Sequence, residues 1–331
     1  MNKFLLPISF ALLLVVSGCS TKRVFEPKVL KSDWSHYGKA EQTIVDVGSN
    51  AALLENRTIL SQDGFIDVKI AKNSRVLSES NGWVLSATID GDLTLQNIKE
   101  PSNKTLFSLK KTIATASVHE NTLAVLFADN EMALYEVDTK NLIFKEKGSK
   151  SLAIDSRIAT PYFMRDLVLF PTLDGKVVIV SATLKKRLRT VIVSSQERFN
   201  NIIYFNVIDE KIVAVTATEI VSLASKELRA KYEIRDVLYD EQNIFVTTKQ
   251  GEVLSLTSNL ELNAKIKFPF AHFLSFLSHK DKLYLLEKEG YMVVLDKDMK
   301  NYTVHEVDIE DGYIFVDGEK FYIADEYISV K

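Results

Sequence analysis

The sequence is short of cysteine, glycine, proline and net charge, and each shortage excludes a class of protein. One cysteine in 331 residues excludes an intrachain disulfide framework and a cysteine-ligated zinc site. Twelve glycines and six prolines are too few for long flexible linkers. The formal net charge of −3 removes any global electrostatic basis for nucleic-acid binding, so we expect no nucleic-acid partner.

Catalytic and metal-binding motifs are also missing from the sequence. It contains no Gly-x-Ser-x-Gly elbow, no P-loop and no dinucleotide-binding fingerprint. None of its histidines stands at metal-ligand spacing from an Asp, a Glu or the cysteine. These histidines are His36, His119, His272, His279 and His305. We therefore expect no catalytic residue, no metal and no cofactor, and we do not expect the chain to be an enzyme.

The one long apolar run lies at the start of the chain. It extends from Phe4 to Val16 after Lys3, and is shorter than the roughly 20 residues that a membrane-spanning helix needs. The run ends in Val-Ser-Gly before Cys19, which resembles a bacterial lipobox. The resemblance implies cleavage after Gly18 and attachment of lipid to Cys19. The alternative is an ordinary signal peptide with an incidental cysteine.

The residue after Cys19 bears on the location of the protein. In the sorting rule known for enteric bacteria, an Asp at this position retains a lipoprotein at the inner membrane. The residue here is Ser20. The resemblance therefore implies a lipid anchor in the bacterial outer membrane, with the protein on the periplasmic face. A mature chain without free thiols is compatible with that oxidising compartment.

A hairpin pattern of two apolar strands around an acidic or glycine turn recurs along the rest of the chain. Its eight copies occupy 56–72, 82–98, 121–138, 166–182, 209–225, 242–258, 281–298 and 317–331. Their turns fall near Gly64, Gly91, Asn130, Gly175, Thr218, Gly251, Gly290 and Glu326. Most steps between turns approach the roughly 40 residues of one four-stranded propeller blade. Strands such as Val177–Val180 are apolar on both faces, as expected for sheets packed between neighbouring sheets.

These features predict an all-β protein, a β-propeller of seven or eight four-stranded blades. The first step, from Gly64 to Gly91, is short for a blade, which leaves seven blades plus an extra strand pair open. A β-sandwich or barrel lacks the recurring long unit. The predicted organisation is a lipoprotein signal peptide over 1–18, a tether over 19–50 and the propeller over 51–331. Because the chain ends directly after 326–331, we expect the last blade to lack its outer strand and an N-terminal segment to fill that edge.

Two of the hairpins carry a family resemblance. The segments 174–183 and 129–141 resemble the pyrroloquinoline-quinone-type propeller repeat, although Lys140-Asn141 replaces its usual Thr-Gly. Together with the lipobox, this pattern resembles the BamB family of propeller lipoproteins. The resemblance implies assistance to the outer-membrane β-barrel assembly machine.

An unusual run of aromatic residues lies in 267–278. It comprises Phe268, Phe270, Phe273 and Phe276. Aromatic residues are enriched in protein interfaces, so one interpretation is an exposed partner surface. The other is packing in the core between two blades.

Three functions are consistent with these observations. The first is a membrane-tethered scaffold that binds protein partners of the cell envelope, among them the β-barrel assembly machine. The second is an enzyme or cofactor protein, which would need titratable side chains converging on the central channel. The third is an envelope sensor that binds a ligand or the cell wall.

Overall fold

The computed structural model describes residues 23–330, so the signal segment and the proposed lipidation site Cys19 lie outside the described residues. Within that range 32 strands form eight four-stranded antiparallel sheets, each a blade of a β-propeller. No helix in the described range is long and apolar enough to cross a membrane.

The blades follow one another along the chain, and only the last uses a strand from elsewhere. The first strand of the chain, β1 (Tyr37–Lys39), belongs to blade 8. Blade 1 contains β2 (Ile44–Val47), β3 (Ala51–Leu54), β4 (Ile59–Ser61) and β5 (Gly64–Ile66), and blade 2 contains β6 (Ser74–Ser80), β7 (Trp83–Thr88), β8 (Asp92–Asn97) and β9 (Lys104–Ser108). Blade 3 contains β10 (Ile113–His119), β11 (Thr122–Phe127), β12 (Glu131–Glu136) and β13 (Leu142–Lys147), and blade 4 contains β14 (Tyr162–Met164), β15 (Leu167–Pro171), β16 (Lys176–Ser181) and β17 (Lys186–Ile192). Blade 5 contains β18 (Tyr204–Ile208), β19 (Lys211–Val215), β20 (Glu219–Leu223) and β21 (Glu227–Lys231), and blade 6 contains β22 (Ile234–Tyr239), β23 (Ile244–Thr248), β24 (Glu252–Leu256) and β25 (Leu262–Lys267). Blade 7 contains β26 (Phe273–His279), β27 (Lys282–Glu287), β28 (Tyr291–Asp296) and β29 (Tyr302–Glu306), and blade 8 contains β30 (Ile314–Val316), β31 (Lys320–Ile323) and β32 (Glu326–Ser329) in addition to β1.

The first strand of each of blades 1 to 7, and β30 of blade 8, is the innermost. First strands of neighbouring blades contact each other, as β6 contacts β10 and β22 contacts β26. Side-chain hydroxyls join some of these strands across the gap between sheets. Ser78 Oγ donates to the Ala116 carbonyl at 2.6 Å, and Ser80 Oγ donates to the Val118 carbonyl at 3.0 Å. The innermost strands therefore form the inner ring of the propeller.

β1 closes the ring as the outermost strand of blade 8. It pairs antiparallel with β32, with Gly38 opposite Tyr327. The expectation that an N-terminal segment completes the last blade is therefore confirmed. The edge of β32, which would otherwise be free to pair with another chain, is covered.

In most blades the turn between the second and third strands is hydrogen-bonded to the link that leads to the next blade. After the outermost strand, the next backbone N–H donates to the carbonyl of that turn, as Phe268 does to Gly251 at 2.8 Å. Equivalent bonds join Leu109 to Gly91, Gly148 to Asn130, Val193 to Gly175, Tyr232 to Thr218 and Val307 to Gly290. The repeated turn residues thus anchor the link to the next blade.

The hydrophobic core is divided among the spaces between blades. The cluster between blades 6 and 7 contains Phe245, Phe273 and Leu285, and the cluster between blades 7 and 8 contains Tyr284 and Phe321. Middle strands such as β16 are therefore buried on both faces, in agreement with their continuous apolar sequence.

The structure resolves the number of blades as eight. The short first step arises because Gly64 begins β5, after the turn between the third and fourth strands of blade 1. Gly91, in contrast, lies between the second and third strands of blade 2. The two glycines occupy different turns of their blades, so no blade is missing.

The N-terminal boundary of the propeller differs from the expected residue 51. Strands β1 and β2 lie in the region expected to be a tether, and residues 23–36, here called the N-terminal strap, lie against blade 7. Lys31 N donates to the Val304 carbonyl at 3.0 Å and Trp34 N to the Glu306 carbonyl at 2.8 Å. Phe25 is buried in the cluster between blades 6 and 7, and Trp34 in that between blades 7 and 8.

Candidate functional site

The aromatic run in 267–278 contributes mostly to the core. Phe268, Phe273 and Phe276 are buried between blades 6 and 7, whereas Phe270 is 53% exposed. The ring of Phe268 makes an edge contact with Phe25, at 6.1 Å between centroids. Of the four phenylalanines considered as a partner surface, only Phe270 is thus placed on the outside of the protein.

Phe270 lies beside a cleft formed with the N-terminal strap, here called the blade-7 cleft. The cleft has a volume of about 1190 Å³ and is lined by residues 23–31, 267–270 and 302–304. Its exposed apolar residues are Val24, Val29, Leu30, Phe270 and Tyr302. The Arg23 guanidinium carbon lies 5.6 Å from the centroid of the Phe270 ring, within cation–π range.

The charge of the blade-7 cleft is opposite in sign to that of the whole chain. Its lining contains four cationic side chains, and all four residues are exposed. They are Arg23, Lys28, Lys31 and Lys267. Glu26 is the single acidic residue of the lining, so the cleft carries a net charge of +3 while the full chain carries −3.

A second exposed apolar surface is formed by the links on either side of blade 4. These links, residues 148–161 and 193–203, are here called the loop platform. Leu152 is 71% exposed and Phe199 is 54% exposed, and Ile154 is exposed nearby. The Phe199 N–H donates to the Ala153 carbonyl at 2.8 Å, which joins the two links directly.

Buried asparagines hold the loop platform in place. Asn201 Oδ1 accepts from Asp155 N at 2.7 Å, and Asn201 Nδ2 donates to the Arg157 carbonyl at 2.7 Å. Asn200 Nδ2 donates to the Asp174 carbonyl at 3.1 Å. Both side chains are buried and donate to backbone carbonyls, so hydrogen bonds within the chain hold the platform in place.

The backbone of Phe199 is in a conformation that bulky residues rarely adopt. Its φ is +51°, in the left-handed region that favours glycine or asparagine. Phe270 has the same property, with φ of +67°. The two exposed phenylalanines share this conformation with fifteen other non-glycine residues of the described range, so it reflects the turns in which they lie.

A charged cluster joins the loop platform to the innermost strand of blade 6. Arg157 makes a two-pronged ion pair with Asp155, with N–O distances of 2.9 and 2.7 Å. Arg157 Nη1 also donates to the Arg235 carbonyl and lies 3.8 Å from Asp236 Oδ1. The link after blade 3 is thereby fixed to β22 of blade 6, past blades 4 and 5.

The two carboxyl groups of the cluster differ in pKa because Arg157 is bonded more closely to one of them. Burial alone would raise the pKa of Asp155, but its hydrogen bonds from Arg157 lower the pKa below its ordinary value. Asp236 accepts a hydrogen bond from Val237 N at 2.9 Å but lacks a comparably close cation, and burial raises its pKa to about 6 although Arg157 partly opposes the shift. Burial and the charge of Arg157 lower the pKa of Arg235.

The cluster meets one requirement of the channel-enzyme interpretation, since titratable groups do converge near an innermost strand. Its geometry is that of an ion-pair network that ties a loop to the ring. Among residues 23–330, no group of three or more His, Cys, Asp or Glu side chains is placed to hold a metal ion.

The sequence pattern did not predict the loop platform or the N-terminal strap. Neither segment carries the alternating pattern of the repeat. The available signals were isolated apolar residues in polar surroundings, Leu152 and Phe199 in one case and Phe25 and Trp34 in the other.

No family model matches the chain. Two curated proteins are similar over most of it: the plasminogen-binding protein PgbB of Helicobacter pylori strains J99 and 26695. Each is 31% identical over 353 aligned positions, which cover 92% of this chain and 65% of PgbB. The chain therefore spans less than two thirds of the length of these relatives.

Solved structures show the same fold at low sequence identity. BamB from Moraxella catarrhalis superposes with a TM-score of 0.67 at 10% identity, covering 90% of this chain and 98% of that one. The C-terminal WD40 domain of Sif2 superposes with a TM-score of 0.64 at 12% identity, covering 92% and 100%. The BamB-like propeller fold expected from the repeat is thus confirmed.

Proposed function

We propose that this chain is a lipid-anchored, protein-binding propeller of the bacterial cell envelope, and that the loop platform contacts the partner. The observation that carries the proposal is the exposure of Leu152 and Phe199 on links whose backbone is fixed by buried asparagines. A rigid surface loses little conformational entropy on binding, and aromatic residues dominate the affinity of protein interfaces. In this proposal the chain acts by binding and not by catalysis.

The proposed location follows from the lipobox resemblance. Cys19 carries the lipid, and the propeller lies on the periplasmic face of the outer membrane. The BamB-like fold and the lipobox together support a partner in the β-barrel assembly machine, with the chain as a scaffold for outer-membrane protein assembly.

The sequence similarity to PgbB favours a second candidate. PgbB is named as a plasminogen-binding protein, and 92% of this chain aligns with it. The second candidate is therefore binding of plasminogen by a copy of the propeller that is exposed to the outside of the cell. Because the aligned region is only 65% of PgbB, the residues that bind plasminogen there need not lie in the shared part.

Site-specific photo-crosslinking of the full lipidated chain tests both candidates. A benzoylphenylalanine at position 199 is irradiated in intact cells, with and without added plasminogen, and the adducts are identified by mass spectrometry. The same group at Ile89, an exposed apolar turn residue of blade 2, is the matched control. An adduct with an assembly-machine subunit from position 199 alone supports the first candidate, and one with plasminogen supports the second.

Other outcomes overturn the proposal. Equal adduct patterns from positions 199 and 89 would remove the loop platform as the contact surface. An absence of protein adducts from position 199 would contradict protein binding at this surface. The lipid is checked separately, by mass spectrometry of the acylated N-terminal peptide.

A further inference from the structure

The blade-7 cleft combines exposed apolar residues, a positive charge and proximity to the start of the mature chain. We infer that this cleft docks the propeller against an anionic lipid bilayer, with Phe270 and Val29 entering the headgroup layer. The inference rests on the proposed function, because it takes the lipid at Cys19 as given.

The length of chain between the lipid and the structure limits where the membrane can be. Only residues 20–22 separate Cys19 from Arg23, and a fully extended chain spans at most about 14 Å over those four steps. Phe25 is buried against Phe268 and Tyr291, with centroid distances of 6.1 and 5.7 Å. The fixed point Phe25 is therefore within about 22 Å of the acylated residue along the chain, so the cleft is held beside the membrane.

The exposed side chains of the cleft are those that a bilayer interface accepts. Val29 is 76% exposed, and Val24, Leu30 and Phe270 are exposed with it. Exposure of these apolar side chains to water is unfavourable, whereas the boundary between headgroups and acyl chains would bury them. Tyr302, at the side of the cleft, has the amphipathic ring that is enriched at membrane interfaces.

The charges of the cleft select an anionic surface. Each Lys or Arg near an anionic leaflet adds electrostatic attraction to it. Arg23, Lys28, Lys31 and Lys267 outnumber Glu26, so the cleft is attracted while the rest of the negative chain is repelled. A lipid chain together with a basic patch is the usual two-part requirement for stable, oriented membrane attachment.

An acidic peptide is the other occupant that this charge would fit. The outer edge of β29 is already hydrogen-bonded to the strap at Val304 and Glu306, so that edge offers a peptide fewer free backbone groups. The short connection to Cys19 brings a bilayer, rather than a particular peptide, to the cleft. Lipid is therefore the occupant that the structure favours.

The absence of other cysteines allows a direct test. In Phe270→Cys the new thiol is the only free one, because Cys19 is acylated and becomes the N-terminal residue. The full lipidated protein is labelled with a bimane fluorophore and reconstituted into vesicles containing 30% phosphatidylglycerol and brominated quencher lipids. Phe199→Cys, on the loop platform, is the matched control, since it replaces an equally exposed phenylalanine with left-handed backbone.

We expect the label at position 270 to be quenched at least about threefold more strongly than the label at position 199. The difference should disappear in Lys28→Glu/Lys31→Glu and in purely zwitterionic vesicles, because the attraction is electrostatic. Equal quenching of the two labels would overturn the inference. Protection of the label at position 270 by a soluble polyglutamate peptide, without quenching by lipid, would assign the cleft to an acidic peptide instead.

Failure of the anchor is distinguishable from failure of docking. If Cys19 is not acylated, the protein does not reconstitute and mass spectrometry finds no acylated peptide, which contradicts the proposed function. If the protein reconstitutes but the label at position 270 remains in water, the anchor stands and the docking inference fails.

Discussion

Gly251 shows at the scale of single residues why the repeat keeps glycine at its turns. Its φ is +74°, and a Cβ atom there would lie 2.1 Å from the Phe268 carbonyl oxygen. That carbonyl belongs to the link whose N–H bonds back to Gly251. The turn thus needs glycine both for its conformation and for the close approach of the link.

Comparison of two glycine substitutions separates these requirements. Gly82 has a similar φ of +80°, but a Cβ atom there meets nothing within 4 Å. We expect Gly82→Ala to lower the free energy of unfolding by about 1–2 kcal/mol, the cost of left-handed backbone for an L-residue. Gly251→Ala should lose a further 1–3 kcal/mol or so, because the backbone must move to relieve the clash. Denaturant unfolding measures both values, and equal losses would show that the approach of Phe268 is not limiting.

The raised pKa of Asp236 predicts a specific dependence of stability on pH. Its pKa is about 6 in the folded protein against an ordinary 3.8, so between these values the folded state binds the extra proton. The contribution of Asp236 to stability should therefore fall as pH rises from 4 to 6.5 and level off above. The side chain is 31% exposed, so we expect a decrease of only about 1 kcal/mol.

Asp236→Asn should flatten the stability profile between pH 4 and 6.5 in calorimetric unfolding. Asp240→Asn is the control: burial opposes the shift, but the hydrogen bond from Lys297 lowers the pKa of Asp240, so its effect belongs below pH 4. A profile unchanged by Asp236→Asn would mean that this carboxyl ionises normally in the fold.

Residues of the regular repeat could be predicted from the sequence, and those outside it could not. The turn glycines follow from strand alternation and from the need for left-handed backbone. The positions of Phe268 and Phe270 could not be separated in this way, because both lie in a link without alternation. Phe268 is buried by rings that are distant in sequence, Phe25 and Tyr302, at centroid distances of 6.1 and 5.0 Å, and neither of these ring contacts involves Phe270.

At the scale of elements, β1 determines whether the ring is closed. Its pairing with β32 includes a bond from Ser329 N to the His36 carbonyl at 2.9 Å and one from Ala40 N to the Asp325 carbonyl at 2.8 Å. Alternation along an antiparallel ladder then places Gly38 at a hydrogen-bonded position and Lys39 at a position whose N–H faces outward.

Proline substitutions at these neighbouring positions test the closure. Gly38→Pro removes a ladder bond and places its ring against Tyr327, so we expect a loss of about 3 kcal/mol and a broader unfolding transition. Lys39→Pro should cost less than about 1 kcal/mol, because an edge strand tolerates proline where its N–H faces solvent. Circular dichroism melts of the two variants provide the comparison, and equal melts would show that β1 contributes little to closure.

The propeller elements were predictable because each blade repeats one pattern, whereas the strap and the loop platform occur once. That an N-terminal segment completes blade 8 was predictable, but not which residues form that strand. That choice depends on the contacts of Trp34 and Gly38 with strands about 290 residues later, which no local pattern encodes.

At the scale of the whole molecule, the two exposed surfaces belong to different parts of the ring. The loop platform is built on the links that flank blade 4. The blade-7 cleft lies at the edge of blade 7, which is separated from blade 4 by blades 5 and 6 along the chain. A closed ring fixes their relative positions. The two surfaces therefore consist of different residues on different blades.

This separation predicts that partner binding and membrane docking can be altered independently. In detergent, adduct formation through a benzoylphenylalanine at Leu152 should fall at least about fivefold in Phe199→Asn, the loss typical of an interface hot spot. Asparagine accepts the left-handed backbone, so thermal stability should not fall. Lys28→Glu/Lys31→Glu should leave the adduct yield within about twofold, and the combined variant should match Phe199→Asn alone, since distant sites act additively. A large loss from the charge reversal in detergent would instead mean that the cleft and the platform contact the same partner.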